Sequence, residues 1–215
     1  MSGDGLSQGI GPAAKIALRG GAAAEDDEDA AALWCSRLAG FGLVEAARDH
    51  FRPAAGAGDL AAAKCMVWLA WEAGLDGDAR TWLDRAARTG DPWAMFELGR
   101  SVQEPDEAER WYRRAAEAGA GIAMNNLAVQ HVLEGEHAEA ERWFRRAADA
   151  GNVDGTANLG RLKLEAGDLR DAETWLTAAV EQGHGGAAEQ LACLLADAGR
   201  TEEAEVWRAR SAARR

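Results

Sequence analysis

Proline is scarce in this chain, with 4 in 215 residues, and no stretch alternates apolar with polar side chains. β-Branched residues are also few, so strands are excluded and an all-helical fold is expected. Three cysteines, Cys35, Cys65 and Cys193, are odd in number and form no short paired spacing. That argues against a disulfide framework or a cysteine zinc site and for reduced thiols. No apolar run approaches the length of a membrane-spanning helix, and the N-terminus lacks the apolar core of a signal peptide. No membrane partner is therefore expected, and the cytoplasm is the default location. Basic residues are outnumbered, 24 Lys and Arg against 36 Asp and Glu, for a net charge of −12. Binding to a phosphate backbone is driven by Lys and Arg releasing counterions, so a nucleic-acid partner is disfavoured.

What the chain has is repetition. GAGIAMNNLAVQHVLEGEHAEAERWFRRAADA, beginning at Gly119, is followed at Gly151 by GNVDGTANLGRLKLEAGDLRDAETWLTAAVEQ. Laid over each other, Asn126 falls on Asn158, Leu127 on Leu159, Gly135 on Gly167, Ala140 on Ala172 and Trp143 on Trp175. Trp111, Trp143, Trp175 and Trp207 stand 32 apart, and Trp82 precedes Trp111 by 29; Gly58, Gly90, Gly119, Gly151 and Gly183 keep the same intervals. A fixed period of this length signals stacked units. Six are expected: 26–57, 58–89, 90–118, 119–150, 151–182 and 183–214.

Within a unit, Ala140, Trp143, Phe144 and Ala147 recur at helical spacing and define one buried side, with Glu141, Arg145 and Arg146 opposite. Gly135 and Gly151 stand where the two helices of the unit end, and glycine takes the left-handed cap conformation without a Cβ penalty. Each unit is then a helical hairpin, about twelve helices in all, and a lone hairpin cannot bury its apolar stripe without neighbours.

Leu159 and Gly160 before Gly167 and Asp168, then Ala172, Trp175 and Ala179, resemble the tetratricopeptide repeat pattern. The Ala-Ala-x-x-Gly ending at Ala147, Ala148 and Gly151 is similar to the Sel1-like subgroup. The resemblance covers residues 26–214 and rests on six phased copies. The unit is shorter than the family's usual repeat, the Sel1-like loop insertion is missing, and His131 and Lys163 replace the family's first-helix tyrosine. The resemblance implies a right-handed α-solenoid whose first helices line a concave groove, and protein–protein interaction as the functional class.

Residues 1–25 are glycine-rich and lack the repeat; they are expected to form a flexible arm, with a turn or two of helix around Ala13–Leu18. The acidic run Glu25–Asp29 is placed to complement the dipole of the first helix. The first unit is degenerate: His50 and Phe51 stand at the aromatic positions, with Pro53 in the second helix and His50 as a half-buried packing residue. The third unit loses three residues before Trp111, which shortens its first helix and leaves a notch, and Pro105 supplies the break where Gln103 replaces glycine. Leu83, Tyr112, Phe144 and Leu176 follow the column tryptophans, but Arg208 does so in the last unit, as expected where nothing packs beyond it.

The column tryptophans are expected to be packing residues, each indole removing about 150–250 Å² from water, and Trp34 is core by its alignment with Leu127, Leu159 and Leu191. Trp68 shares its column with Arg100, Val129, Arg161 and Cys193; Trp93 with Ala61, Ile122, Asp154 and Gly186; Phe96 with Lys64, Asn125, Ala157 and Glu189. Columns that tolerate charge are not core columns. Trp68, Trp71, Trp93, Phe96, Arg100 and Asn125 are therefore the candidate partner-binding residues, since aromatic and arginine side chains are the usual binding anchors.

There is no GxSxG, P-loop or HExxH motif, and His131, His137 and His184 lie at unrelated repeat positions. Glu139, Glu141, Arg142 and Arg145 pair as solvated surface charges. No enzyme activity, cofactor or metal is expected. The expected function is an adaptor binding a peptide or helix of a partner protein. Self-association of the last unit or of the notch is the alternative, and hydrolytic or metal-dependent catalysis comes last.

Overall fold

The computed structural model describes residues 28–213. The arm at 1–25, the turn at Ala13–Leu18 and part of the acidic run lie outside the described residues. Among the described residues there are twelve helices and no strand. They are α1 (Glu28–Gly40), α2 (Val44–Gly56), α3 (Leu60–Glu72), α4 (Asp76–Arg88), α5 (Pro92–Ser101), α6 (Pro105–Glu117), α7 (Gly121–Leu133), α8 (His137–Asp149), α9 (Val153–Glu165), α10 (Leu169–Glu181), α11 (Gly185–Asp197) and α12 (Thr201–Ala213).

Glycine sets the punctuation. Ten glycines have positive φ, at 42, 58, 74, 90, 119, 135, 151, 167, 183 and 199, so nine intervals are 16 except one of 29. After each of the ten, the next residue's N–H bonds the carbonyl five positions back, as in Glu136 to His131 (2.8 Å) and Asn152 to Ala147 (2.9 Å). This 6→1 closure satisfies carbonyls that a helix end leaves unpaired. The junction without such a glycine follows α5, where Val102 is extended (φ −90°, ψ 146°) and α6 opens on Pro105. α5 has 10 residues and every other helix has 13, so the three missing residues come off its C-terminal turn.

Four first helices of hairpins are capped at their N-termini by side chains: Asp59, Asp91, Asn152 and His184 accept from the N–H three residues on (2.6–3.0 Å), whereas α7 follows Ala120 and has no such bond. Second helices have no such bond at Leu43, Leu75, Glu136 and Asp168. Their entry is fixed by the preceding glycine turn and by packing instead.

The chain divides at Ala108 and Glu109, inside α6, into two compact units. In the first, Cys35, Leu38, Ala47, Cys65 and Leu69 form one core cluster, and Ala55, Ala62, Ala63 and Met66 form another. Phe51 packs against both. Buried Arg48 crosses from α2 to α4 to pair with Asp78, and also pairs with Glu45 at 2.9 Å. In the second, α8 packs on α7 and α9, and α10 on α9 and α11. Alanines let the helices approach: Ala128, Ala140, Phe144, Leu159 and Leu162 form one cluster, continued by Ala172, Leu176, Leu191 and Ala204 in the next. Each unit is a stack of helical hairpins, and the fold class is an all-α solenoid of helix-turn-helix repeats.

Three burial expectations are corrected. His50 is exposed and only meets Phe51 edge-on, with ring centroids 5.0 Å apart. Trp34 is half-buried, whereas Leu127, Leu159 and Leu191 of its column are buried; it leans edge-on against Phe51 at 5.4 Å. The column tryptophans 82, 111, 143, 175 and 207 are half-buried rather than enclosed, though Trp82, Trp143, Trp175 and Trp207 pack against the core clusters as expected, and the position after the column is fully buried at Leu83, Phe144 and Leu176. Arginines cover the outer indole faces: Arg85 over Trp82 (5.0 Å), Arg114 over Trp111 (4.5 Å), Arg146 over Trp143 (4.3 Å) and Arg145 over Trp175 (5.9 Å). The guanidinium, attracted by the ring quadrupole, keeps water off a ring that the core does not fully enclose. Arg208 is exposed and stands 3.5 Å from the Glu189 carboxylate of α11.

Candidate functional site

α3 carries Lys64, Trp68 and Trp71 at i, i+4 and i+7, which places them along one side of that helix. α5 carries Trp93, Phe96 and Arg100 on a corresponding spacing. The structure brings the three indoles together: Trp68 lies edge-on to Trp71 at 4.9 Å and tilted by 36° to Trp93 at 5.6 Å, and Trp71 to Trp93 is 6.2 Å. All three are half-buried. The Trp68 indole Nε1 is buried without a hydrogen-bond partner, a costly arrangement for a donor out of water.

Charged groups border this cluster. The Lys64 ammonium sits over the Trp93 ring at 5.3 Å and 3.1 Å from the Asp91 carboxylate, which caps α5. Arg100 is exposed and reaches both carboxylate oxygens of buried Glu97, at 3.1 and 3.2 Å. A buried carboxylate is stable only when paired, so Arg100 is first a partner to Glu97. Phe96 is buried, at 7% exposure, and does not share the open face. Its column misled because Lys64 also belongs to it, and Lys64 keeps its stem covered while its ammonium reaches Asp91.

Asn125 belongs to the second unit and is half-buried on α7. Its side-chain oxygen accepts from the Asn158 amide at 2.9 Å, linking α7 to α9. The two are not equivalent repeat positions, since Asn158 matches Asn126, and the sequence reading did not foresee this contact. α7 also carries Ile122, Val129 and Leu133, exposed by 47, 36 and 83%. Sequence reasoning passed over this apolar stripe, although Asp154, Arg161 and Glu165 at the matching places on α9 mark the column as open to water.

The Cys35 thiol is pushed far above its ordinary range, first by its neighbour Cys65 and then by burial. A thiol so shifted stays protonated and inert. Arg145 pairs with Glu141 at 3.0 Å and Arg142 with Glu139, as expected.

No protein-family model matches the chain, and neither does any curated protein. Solved structures do. A Sel1 repeat protein from Oxalobacter formigenes is 27% identical over 83% of this chain and 85% of its own, with a TM-score of 0.66. The protein c5321, a protective antigen of uropathogenic Escherichia coli strains displaying an SLR fold, is 22% identical, with a TM-score of 0.56 over 85% of this chain and 48% of its own. BtubC from P. vanneervenii aligns at 18% identity over 87% of this chain and 91% of its own, with a TM-score of 0.54. Glycine-capped hairpins stacked by small residues define a helical repeat protein. Within that class the chain is similar to Sel1 repeat proteins, and its fold is that of tetratricopeptide-like and Sel1-like repeats.

Proposed function

We propose that this chain is a non-enzymatic adaptor, and that Trp68, Trp71 and Trp93 are where a peptide or helix of a partner protein makes its main apolar contact. The observation that carries the reading is three half-exposed indoles in mutual contact on α3 and α5. A soluble repeat array has no packing need to cluster tryptophans at columns that elsewhere hold Arg, Asp and Cys, and clustered aromatics are the usual anchors of binding. Phe96 belongs to the buried core, and Arg100, after neutralising Glu97, offers remaining donors to a partner carboxylate or carbonyl. In the second unit, Asn125 offers polar contact beside its bond to Asn158. The acidic surface favours neutral or basic partners by steering. The arm at 1–25 and the repeat domain at 26–214 are the domain division that goes with this reading, with the cytoplasm as the proposed site of action.

Affinity capture from a cell extract, with wild type beside a Trp71→Ala/Trp93→Ala double variant, tests it. Loss of prey with unchanged melting is the expected result, and prey retained equally by both would exclude the patch. The exposed stripe of α7, Ile122, Val129 and Leu133, favours self-association as a second reading. Sedimentation at high concentration separates the two, because a monomer there removes the second.

A further inference from the structure

We infer that the turn closing α7 is a binding site for a divalent transition-metal cation of the zinc class, held by His131, Glu134 and Glu136. The ligand atoms of these three side chains lie within 4.8 Å of one another. His131 Nδ1 is 2.7 Å from a Glu136 oxygen and 3.7 Å from Glu134 Oε2. One imidazole and two carboxylates make a three-donor set that suits zinc with a coordination position left open.

The set is held in place by the backbone. His131 sits in the last turn of α7, Glu134 caps it, and Gly135 (φ +78°) turns the chain so that Glu136 N–H bonds the His131 carbonyl at 2.8 Å. Gln130 donates to Glu134 Oε1 at 3.1 Å, which leaves Oε2 on the imidazole side. Outer hydrogen bonds of this kind fix ligand orientation. The C-terminal end of a helix also carries partial negative charge and favours a cation there.

The neighbouring hairpin supplies an independent observation. Lys163, Ala166 and Asp168 occupy the same three places 32 residues on. There the Lys163 ammonium stands 2.7 Å from Glu141 and 3.9 Å from Asp168. This corner of α9 therefore holds a positive charge that the chain itself provides. In α7 the lysine is replaced by an imidazole and a second carboxylate takes the place of the alanine, so the corner carries a set of ligand atoms where the next hairpin carries an ammonium. The corresponding triplets Ala70, Ala73, Leu75 and Leu195, Ala198, Arg200 offer no ligand set. The expectation of no metal was drawn from histidines scattered over repeat positions and did not weigh the two carboxylates that flank the capping glycine.

The test uses the full chain, free of any tag and stripped with chelator, titrated with Zn²⁺ by calorimetry and with Co²⁺ by visible absorption. Wild type is expected to bind one ion per chain and to melt at higher temperature with Zn²⁺ present. His131→Lys copies the next hairpin; it is expected to keep the helical circular dichroism and lose that ion. Glu136→Gln is expected to weaken binding at least tenfold, and His137→Ala, at an exposed neighbour, to leave it unchanged. Wild-type stoichiometry and affinity in His131→Lys, no Zn²⁺ binding by wild type, or loss of the ion in His137→Ala would each overturn the assignment.

Discussion

Gly160 of α9 lies so near Leu176 of α10 that a Cβ built on it would fall 2.8 Å from Leu176 Cγ and 3.0 Å from the Leu176 backbone nitrogen. The first and second helices of this hairpin touch through backbone, so the space is fixed on both sides. Gly160→Ala must therefore push α10 away, and such overpacking costs about 1–3 kcal/mol. The urea midpoint reads it, and an unchanged midpoint would mean that the two helices are not packed as described.

Adjacent aromatic residues on α8 should differ in consequence. Phe144 is fully buried and Trp143 is half-buried beneath Arg146. Phe144→Ala is expected to cost about 3–5 kcal/mol, the range for emptying a core site. Trp143→Ala should cost less despite the larger ring, because the core encloses only part of it and the rest of its cover is the Arg146 side chain, which can settle into the space left. Chemical denaturation of the two variants decides the order, and a larger loss at Trp143 would contradict the assigned roles.

Native thiol reactivity should follow burial as well. Cys35 and Cys65 are buried and Cys193 is exposed. A colorimetric thiol reagent should label one cysteine per chain in buffer and three after unfolding. Fast labelling of a second thiol in buffer would show that the α1–α3 contact opens readily.

Hairpin count, phase and helix ends were legible because a fixed interval between glycines leaves one way to place the caps. The shortened helix followed from the 29-residue interval. Fine burial was not legible. A column holding Lys64 and Phe96 reads as open, yet long side chains cover their own stems, and Phe96 ends buried. Nor does the sequence show that Arg85, Arg114 and Arg146, three residues after their tryptophans, complete the burial that the core begins. His131 and Lys163 were visible as departures from the repeat pattern. Their ionic partners were hidden because Glu141 reaches Lys163 from another hairpin.

That cross-hairpin pair predicts an acid response. The Lys163 ammonium, 2.7 Å away, holds the Glu141 carboxyl below its ordinary value of about 4.5, with Arg145 adding to the effect. A carboxyl whose folded pKa is depressed binds fewer protons folded than unfolded, so its stabilisation is present above the ordinary value and is lost as pH falls through the folded one. Lys163→Met should lower the urea midpoint at pH 7, and the gap from wild type should shrink at pH 3. A gap of the same size at both values would show that lost packing by the lysine stem, not the ion pair, accounts for the change.

Trp68 joins stability to the proposed contact surface. Its indole ring packs on the α1–α3 core, but its Nε1 is buried without a partner. Replacing it by phenylalanine gives up some apolar area and also removes an unsatisfied donor, worth about 1–3 kcal/mol when buried. The two effects oppose each other, so Trp68→Phe should melt near wild type, whereas Trp68→Ala loses the packing and gains only the relief. Differential scanning calorimetry of both variants measures the balance. A Trp68→Phe variant as unstable as Trp68→Ala would mean that the indole N–H is satisfied in solution. A near-native Trp68→Phe would then be the fit background in which to truncate Trp71 and Trp93, since any loss of partner there could not be laid to a weakened fold.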